Sequence, residues 1–225
     1  MDIRFNQAEA RYDGRIVLHP LTLSLSERRV GIIGLNGSGK TTFARMINGL
    51  VSPTSGSVTV NGLDTVKDLD RSRAQTGFIF QNPQNQIILP LLKDDIALGL
   101  KAQRLPKADV ESAVAAILSR FGISHLADRR SHELSGGELQ LAAFASVLVG
   151  GPNILIMDEP TNQLDLKNRN LVERTIGELT EDVIVISHDL PLVMGVDRLL
   201  LFHEGRIAAD GRPDEVIACY REIAA

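Results

Sequence analysis

Short apolar runs recur along the chain, divided by glycine-rich or polar turns. Val30-Gly31-Ile32-Ile33, Gly77-Phe78-Ile79-Phe80, Asn153-Ile154-Leu155-Ile156-Met157 and Val183-Ile184-Val185-Ile186 are continuous and mostly β-branched. Such runs suit strands buried on both faces, as in a parallel sheet. Other stretches alternate. Residues 3–10 and 16–25 are expected as strands with one buried face, because Leu21, Leu23 and Leu25 interleave with Thr22, Ser24 and Ser26. Asp13-Gly14 between them is a hairpin signal, as Asn61-Gly62 is after a short strand over Ser57–Val60. Leu199–Phe202 and Arg206–Ala209 read as a last hairpin about Glu204-Gly205. Between residues 92 and 149 the pattern becomes helical. Val110, Val114, Ile117, Leu118 and Phe121 share one helical face, and Gly122 stops it. Helices are also expected from Ser135 to Gly150, over 166–179 and over Asp214–Ile223. The reading is an α/β chain with a helical segment set into it.

One stretch carries specific chemistry. Gly34-Leu35-Asn36-Gly37-Ser38-Gly39-Lys40-Thr41-Thr42 fits G-x-x-x-x-G-K-[ST], the phosphate-binding P-loop. A buried strand precedes it and a helical pattern follows, which is the context the motif needs. The glycines let successive N–H groups converge, and the helix N-terminus adds partial positive charge. Lys40 can reach the β- and γ-phosphates, and the Thr41 hydroxyl can ligate Mg²⁺.

Further polar groups fall at the ends of the apolar runs. Asp158-Glu159 follows the strand over 153–157, where α/β sheets hold ligands. Adjacent side chains on extended backbone diverge, so the two acids are expected to do different work: Asp158 toward Mg²⁺, Glu159 toward a water near the γ-phosphate. His188 ends the next strand and is either structural or catalytic. Gln81 opens the amide-rich cluster Gln81-Asn82-Pro83-Gln84-Asn85-Gln86, which is either an exposed turn or a site. Tyr12 at a hairpin edge is either packing or a platform for a base. Leu134-Ser135-Gly136-Gly137-Glu138 opens a helix, and Ser135 with Glu138 makes a capping box. Two glycines in a first helical turn weaken it, which makes sense where something must approach that backbone closely.

Composition changes this picture little. The 225 residues are 44% hydrophobic and 23% charged, with net charge −4, so no broad basic surface offers itself to nucleic acid. The single cysteine, Cys219, excludes an internal disulfide and is expected to pack in the core. No apolar run approaches the ~20 residues needed to span a bilayer. The N-terminus lacks signal-peptide order. A soluble, cytoplasmic chain is expected, one that reaches a membrane only by docking onto another protein.

In the order P-loop, Leu-Ser-Gly-Gly-Glu, Asp158-Glu159, the whole chain resembles the ATPase subunits of ABC transporters. The resemblance implies a P-loop (RecA-like) core with a mixed sheet and an antiparallel β subdomain over 1–81 and 150–225, and a helical subdomain over 82–149. It implies ATP and Mg²⁺ as ligands. Asn36, Gly37, Ser38, Gly39, Lys40, Thr41 and Thr42 would hold the phosphates; Tyr12 would stack on adenine. Gln81 would sense Mg²⁺ and the attacking water, Glu159 polarise that water, and His188 contact the γ-phosphate. Such ATPases are head-to-tail dimers, so Ser135, Gly136, Gly137 and Glu138 would face nucleotide on a second subunit, and Asp165 would cross the interface.

The run Phe80–Gln86 with Pro90 and Asp94-Asp95 further resembles the energy-coupling-factor group, which imports vitamins and transition-metal ions. There the ATPases drive a transmembrane coupling protein, which engages a substrate-capture membrane protein, from the cytoplasmic face of the membrane. The short C-terminal end resembles the ATPases of biotin systems, or of cobalt or nickel systems. Three positions depart from the wider pattern: Glu138 where glutamine is usual, and Leu141 and Ser146 where arginine is common. A soluble ATPase acting on DNA or ribosomes is the other class considered; a single cassette without a heptad run argues against it.

Overall fold

The computed structural model describes residues 1–224. They form two compact units, the first of Met1–Phe78, Asn153–Glu159 and 181–224, the second of Ile79–Pro152 and Pro160–Thr180. Residues 160–180 thus group with the helical segment, whereas the sequence expectation placed them with the core.

The first unit holds two sheets. The smaller is antiparallel, ordered β2-β1-β4-β5 from β1 (Ile3–Tyr12), β2 (Arg15–Leu25), β4 (Ser55–Val60) and β5 (Leu63–Asp64). β1 and β2 run to Tyr12↔Arg15, so the hairpin closes tightly on Asp13-Gly14. The larger sheet is ordered β10-β9-β3-β8-β7-β6, from β3 (Arg29–Gly34), β6 (Thr76–Ile79), β7 (Ile154–Asp158), β8 (Asp182–Ile186), β9 (Arg198–His203) and β10 (Arg206–Gly211). β3 pairs in parallel with β8 and β9, β8 in parallel with β7, and β10 folds back antiparallel on β9. The continuous apolar runs are these central strands, and every residue of β7 is buried.

Four helices belong to this unit: α1 (Lys40–Ile47), α2 (Leu69–Gln75), α7 (Leu190–Met194) and α8 (Pro213–Ala224). α2 and α7 have no clear helical pattern in the sequence, being short, one polar and one opened by proline. Phe43 of α1 stacks on Phe5 of the small sheet at 4.5 Å and meets Phe202 of the large one at 5.0 Å. This triad joins both sheets to the P-loop helix. Cys219 is exposed, not packed in the core. On α8 the buried stripe runs through Val216 and Ile217, and helical spacing carries it on to Tyr220, leaving Cys219 off that face.

The second unit is built from α3 (Leu92–Leu98), α4 (Lys107–Arg120), α5 (Gly136–Leu148) and α6 (Leu166–Glu178). α5 is its central element, with Ala142, Ala143, Phe144 and Ala145 fully buried. A single bridge, Leu91↔Arg130, is its extended pairing among the described residues.

Candidate functional site

β3 ends at Gly34, and the chain turns through the P-loop into α1. Gly37 (φ +77°) and Gly39 (φ +102°) take left-handed conformations that residues with a Cβ rarely adopt. Gly39 sits at the N-cap of α1 and supplies no side-chain hydrogen bond to its first turn. Lys40 is only 6% exposed. Its ammonium donates to the carbonyls of Gly34 (2.7 Å) and Leu35 (2.9 Å), which holds it over the loop. Burial pushes its pKa down, while the nearby charges of Glu159 and Asp158 pull it up; burial wins. The Ser38 hydroxyl is buried and has no hydrogen-bond partner among the described residues. An uncapped helix start, an idle buried hydroxyl and a held cation together fit a polyphosphate.

Asp158, the last residue of β7, is 5% exposed. Burial raises its pKa, against a hydrogen bond from the Thr41 hydroxyl and the charges of Arg45 and Lys40. Thr41 and Asp158 thus present hard oxygen donors side by side, which suits Mg²⁺. Among the described residues no cluster of three or more His, Cys, Asp or Glu could hold a metal. Arg45 was not singled out in the sequence. The signal was there, since it lies one helical turn beyond Thr41 on α1.

Glu159 leaves the strand in a left-handed conformation, φ +53°. The two acids therefore part because the backbone turns between them, rather than by alternation along a strand. Such a conformation in a non-glycine residue stores strain, which is typical of reactive sites. Glu159 N donates to Ile186 O at 2.9 Å, pinning the turn to β8. His188 N donates to Glu159 Oε2 at 3.1 Å, and the His188 ring Nε2 stands 3.1 Å from Glu159 Oε1. Burial raises the Glu159 pKa, opposed by the His188 backbone hydrogen bond. Tyr12 lies in the same unit, 46% exposed at the end of β1.

The structure places the remaining sequence candidates in the second unit. Gln81 is exposed just beyond β6, where Asn82 caps a 3₁₀ turn over Pro83–Asn85 by accepting from Gln84 N. Ser135 caps α5, and the capping box is complete: Glu138 N donates to Ser135 Oγ, while Ser135 N and Oγ donate to Glu138 Oε2 at 2.8 and 2.7 Å. These hydrogen bonds hold the Glu138 carboxyl below its ordinary range. Asp165 caps α6 by accepting from Asn168 N at 2.8 Å. A Cβ on Gly137 would collide with the Asn168 side chain, and one on Gly136 would touch Leu164 at 3.4 Å. The group that approaches these glycines closely is thus α6 and the turn before it. Asn168 was not found from sequence, although its three-residue spacing from Asp165 is a capping interval.

Of the departures, Leu141 is buried on α5. Ser146 donates to Asp95 Oδ2 at 3.1 Å. Asp95 is itself buried and accepts from Ile88 N (2.7 Å) and Leu89 N (2.9 Å). The short hydroxyl at 146 therefore belongs to a polar link that fixes the segment following the Gln81–Gln86 cluster.

Fold and site define a P-loop nucleoside triphosphatase that carries a helical insertion. The ABC transporter family profile matches residues 18–162. The biotin transport ATP-binding protein BioM of Rhizobium etli is 62% identical over 225 residues, covering 100% of both chains. The energy-coupling factor transporter ATP-binding protein EcfA1 of Halalkalibacterium halodurans is 38% identical over 82% of this chain and 68% of its own. The solved structure of CbiO1 from Clostridium perfringens, part of the ABC transporter complex CbiONQ, superposes with a TM-score of 0.85 at 30% identity, covering 99% of this chain and 92% of that one. The chain belongs to the ABC transporter family. It is an ATP-binding subunit, and its activity is ATP hydrolysis coupled to transport.

Proposed function

We propose that this chain is the ATPase of an energy-coupling-factor importer whose cargo is biotin, working at the cytoplasmic face of the membrane. The full-length 62% identity to BioM supports the cargo. One observation carries the chemistry: Lys40, Thr41, Asp158, Glu159 and His188 are assembled within one unit, with Glu159 held at a strained turn by His188.

In this reading Tyr12 stacks on adenine, and the loop from Asn36 to Thr42 holds the phosphates. Thr41 and Asp158 would hold Mg²⁺, which when bound would neutralise phosphate charge. Glu159 orients a water toward the γ-phosphorus. As the water oxygen bonds to phosphorus, the bond to the bridging oxygen breaks, and ADP leaves with that electron pair. Glu159 accepts or relays the water proton, and His188 fixes the carboxylate by its N–H. Two copies pair head-to-tail, so that Ser135, Gly137 and the α5 N-terminus of one face nucleotide on the other, with Asp165 at the interface. The dimer drives a transmembrane coupling protein joined to a substrate-capture membrane protein. Among the described residues no helix is long and apolar enough to cross a membrane, which agrees with such a division of labour.

The test is uptake of labelled biotin by a transport-deficient host expressing the chain with its neighbouring membrane proteins. Uptake should depend on the chain, and Glu159→Gln should lower ATP turnover by roughly 10²–10⁴-fold, the usual loss of a positioned general base. Full uptake without the chain, or turnover that survives Glu159→Gln, overturns the reading.

A further inference from the structure

The hairpin between β9 and β10 has no part in the chemistry above, yet its turn is hydrogen-bonded to the P-loop. Glu204 (φ +48°) and Gly205 (φ +72°) form the turn with both residues in the left-handed region. Gly205 N donates to Ser38 O at 3.1 Å, and Gly205 O accepts from His19 N at 3.0 Å. One glycine residue, through its N–H and its C=O, therefore ties β2 to the phosphate loop. Space there is tight. A Cβ at Gly205 would stand 2.6 Å from Val17 O, and a Cβ at Gly39 would stand 2.7 Å from Leu18 Cδ2 and 2.9 Å from Val17 O. A Cβ at Gly34 would collide with Phe202 O of β9. Three glycines thus admit a close layering of P-loop, β2 and the β9–β10 hairpin, all inside the first unit.

We propose that the Glu204-Gly205 turn is a positioning element for the P-loop, setting the direction of the N–H groups that receive phosphate. The reason lies in the peptide unit that Ser38 shares with Gly39. It is planar and trans, so its C=O and N–H point in opposite directions. Anchoring Ser38 O on Gly205 turns the Gly39 N–H away from the hairpin, at the residue that caps α1. That peptide turns about the ψ of Ser38 and the φ of Gly39, and without the anchor the glycine side restrains it little. The Arg206 guanidinium, 2.9 Å from His19 Nδ1, closes the same turn from outside.

Gly205→Ala tests this, with Gly62→Ala as its control. Gly62 also sits at a hairpin turn with φ +80°, but a Cβ there meets nothing within 4 Å. Gly205→Ala should raise the KM and the Kd for ATP about tenfold, the scale of left-handed strain converted to affinity. The kcat at saturating ATP should stay within about threefold, since Glu159 and His188 follow other strands, β7 and β8, and Gly62→Ala should keep its affinity within about twofold. Unchanged affinity in folded Gly205→Ala, or an equal loss in Gly62→Ala, overturns the proposal. If Gly205→Ala does not fold, amide exchange in the unaltered chain decides. Saturating ADP should slow exchange at Gly205 N–H together with the P-loop amides; no change at Gly205 overturns it.

Discussion

Two helices begin at glycine-rich turns in this protein, and their first turns are finished in opposite ways. α1 opens at Gly39 with no side-chain cap, a buried lysine over the loop and an idle serine hydroxyl. α5 opens at Ser135 with a complete capping box, and the Glu138 carboxylate already accepts from Ser135 N and Oγ. The glycines differ as well. Gly37 is there for backbone angle, Gly39 for angle and for the space that Leu18 and Val17 take, Gly137 for the space that Asn168 takes. The first helix end is prepared to take an anion unaided. The second is satisfied within its own chain and already has a carboxylate in place. In the proposed dimer, an anion arriving at α5 meets that charge.

This contrast can be broken at three points. The largest effect is expected at Lys40. Lys40→Ala should weaken ATP binding by the isolated chain by about 3 kcal/mol, roughly a hundredfold, as for other buried charge partners. Titration with a fluorescent ATP analogue measures it, and a loss below about threefold would mean that the loop binds without its cation. Ser135→Ala comes next. It should lower unfolding stability by about 1 kcal/mol in denaturant titration, the usual worth of an N-cap, and leave the isolated chain's ATP affinity unchanged. If that affinity falls with it, the two helix ends are not independent.

Glu138→Gln should have the smallest effect and bears most directly on the contrast. It keeps an acceptor for Ser135 N but removes the charge. In a Glu159→Gln background, ATP-driven self-association should tighten about threefold, the worth of one charge at a helix end, read from mass in solution. The pH dependence follows from sign. The Glu138 pKa is depressed in the folded chain by its hydrogen bonds to Ser135. Its stabilisation is therefore present above the unfolded carboxylate pKa and lost as pH falls through the folded one. Melting temperatures taken from neutral to acid pH should fall less steeply in Glu138→Gln than in the parent; parallel curves would remove Glu138 as a cap.

Much of this was legible in the residues because its causes are local. The buried strands were continuous apolar runs, the hairpins carried Asp13-Gly14 and Asn61-Gly62, and the P-loop pattern names its own geometry. What escaped the reading depends on neighbours distant in sequence. Cys219 is exposed because packing selects one stripe of α8. Ser146 gains a purpose from Asp95, fifty-one residues away. Asn168 matters because α6 lies against α5, a pairing no spacing rule states.

The sequence by itself determined a P-loop with Lys40 at an open helix end, a seat suited to a nucleoside triphosphate, since glycine torsion, helix polarity and lysine charge act within a few bonds. Tertiary structure alone decided how that seat is held. Gly205 reaches Ser38 because β9 lies beside β3, and Glu159 turns back on β8 to meet His188. Hydrogen bonds and steric contacts act only over a few ångströms, and folding chooses which distant residues come that close.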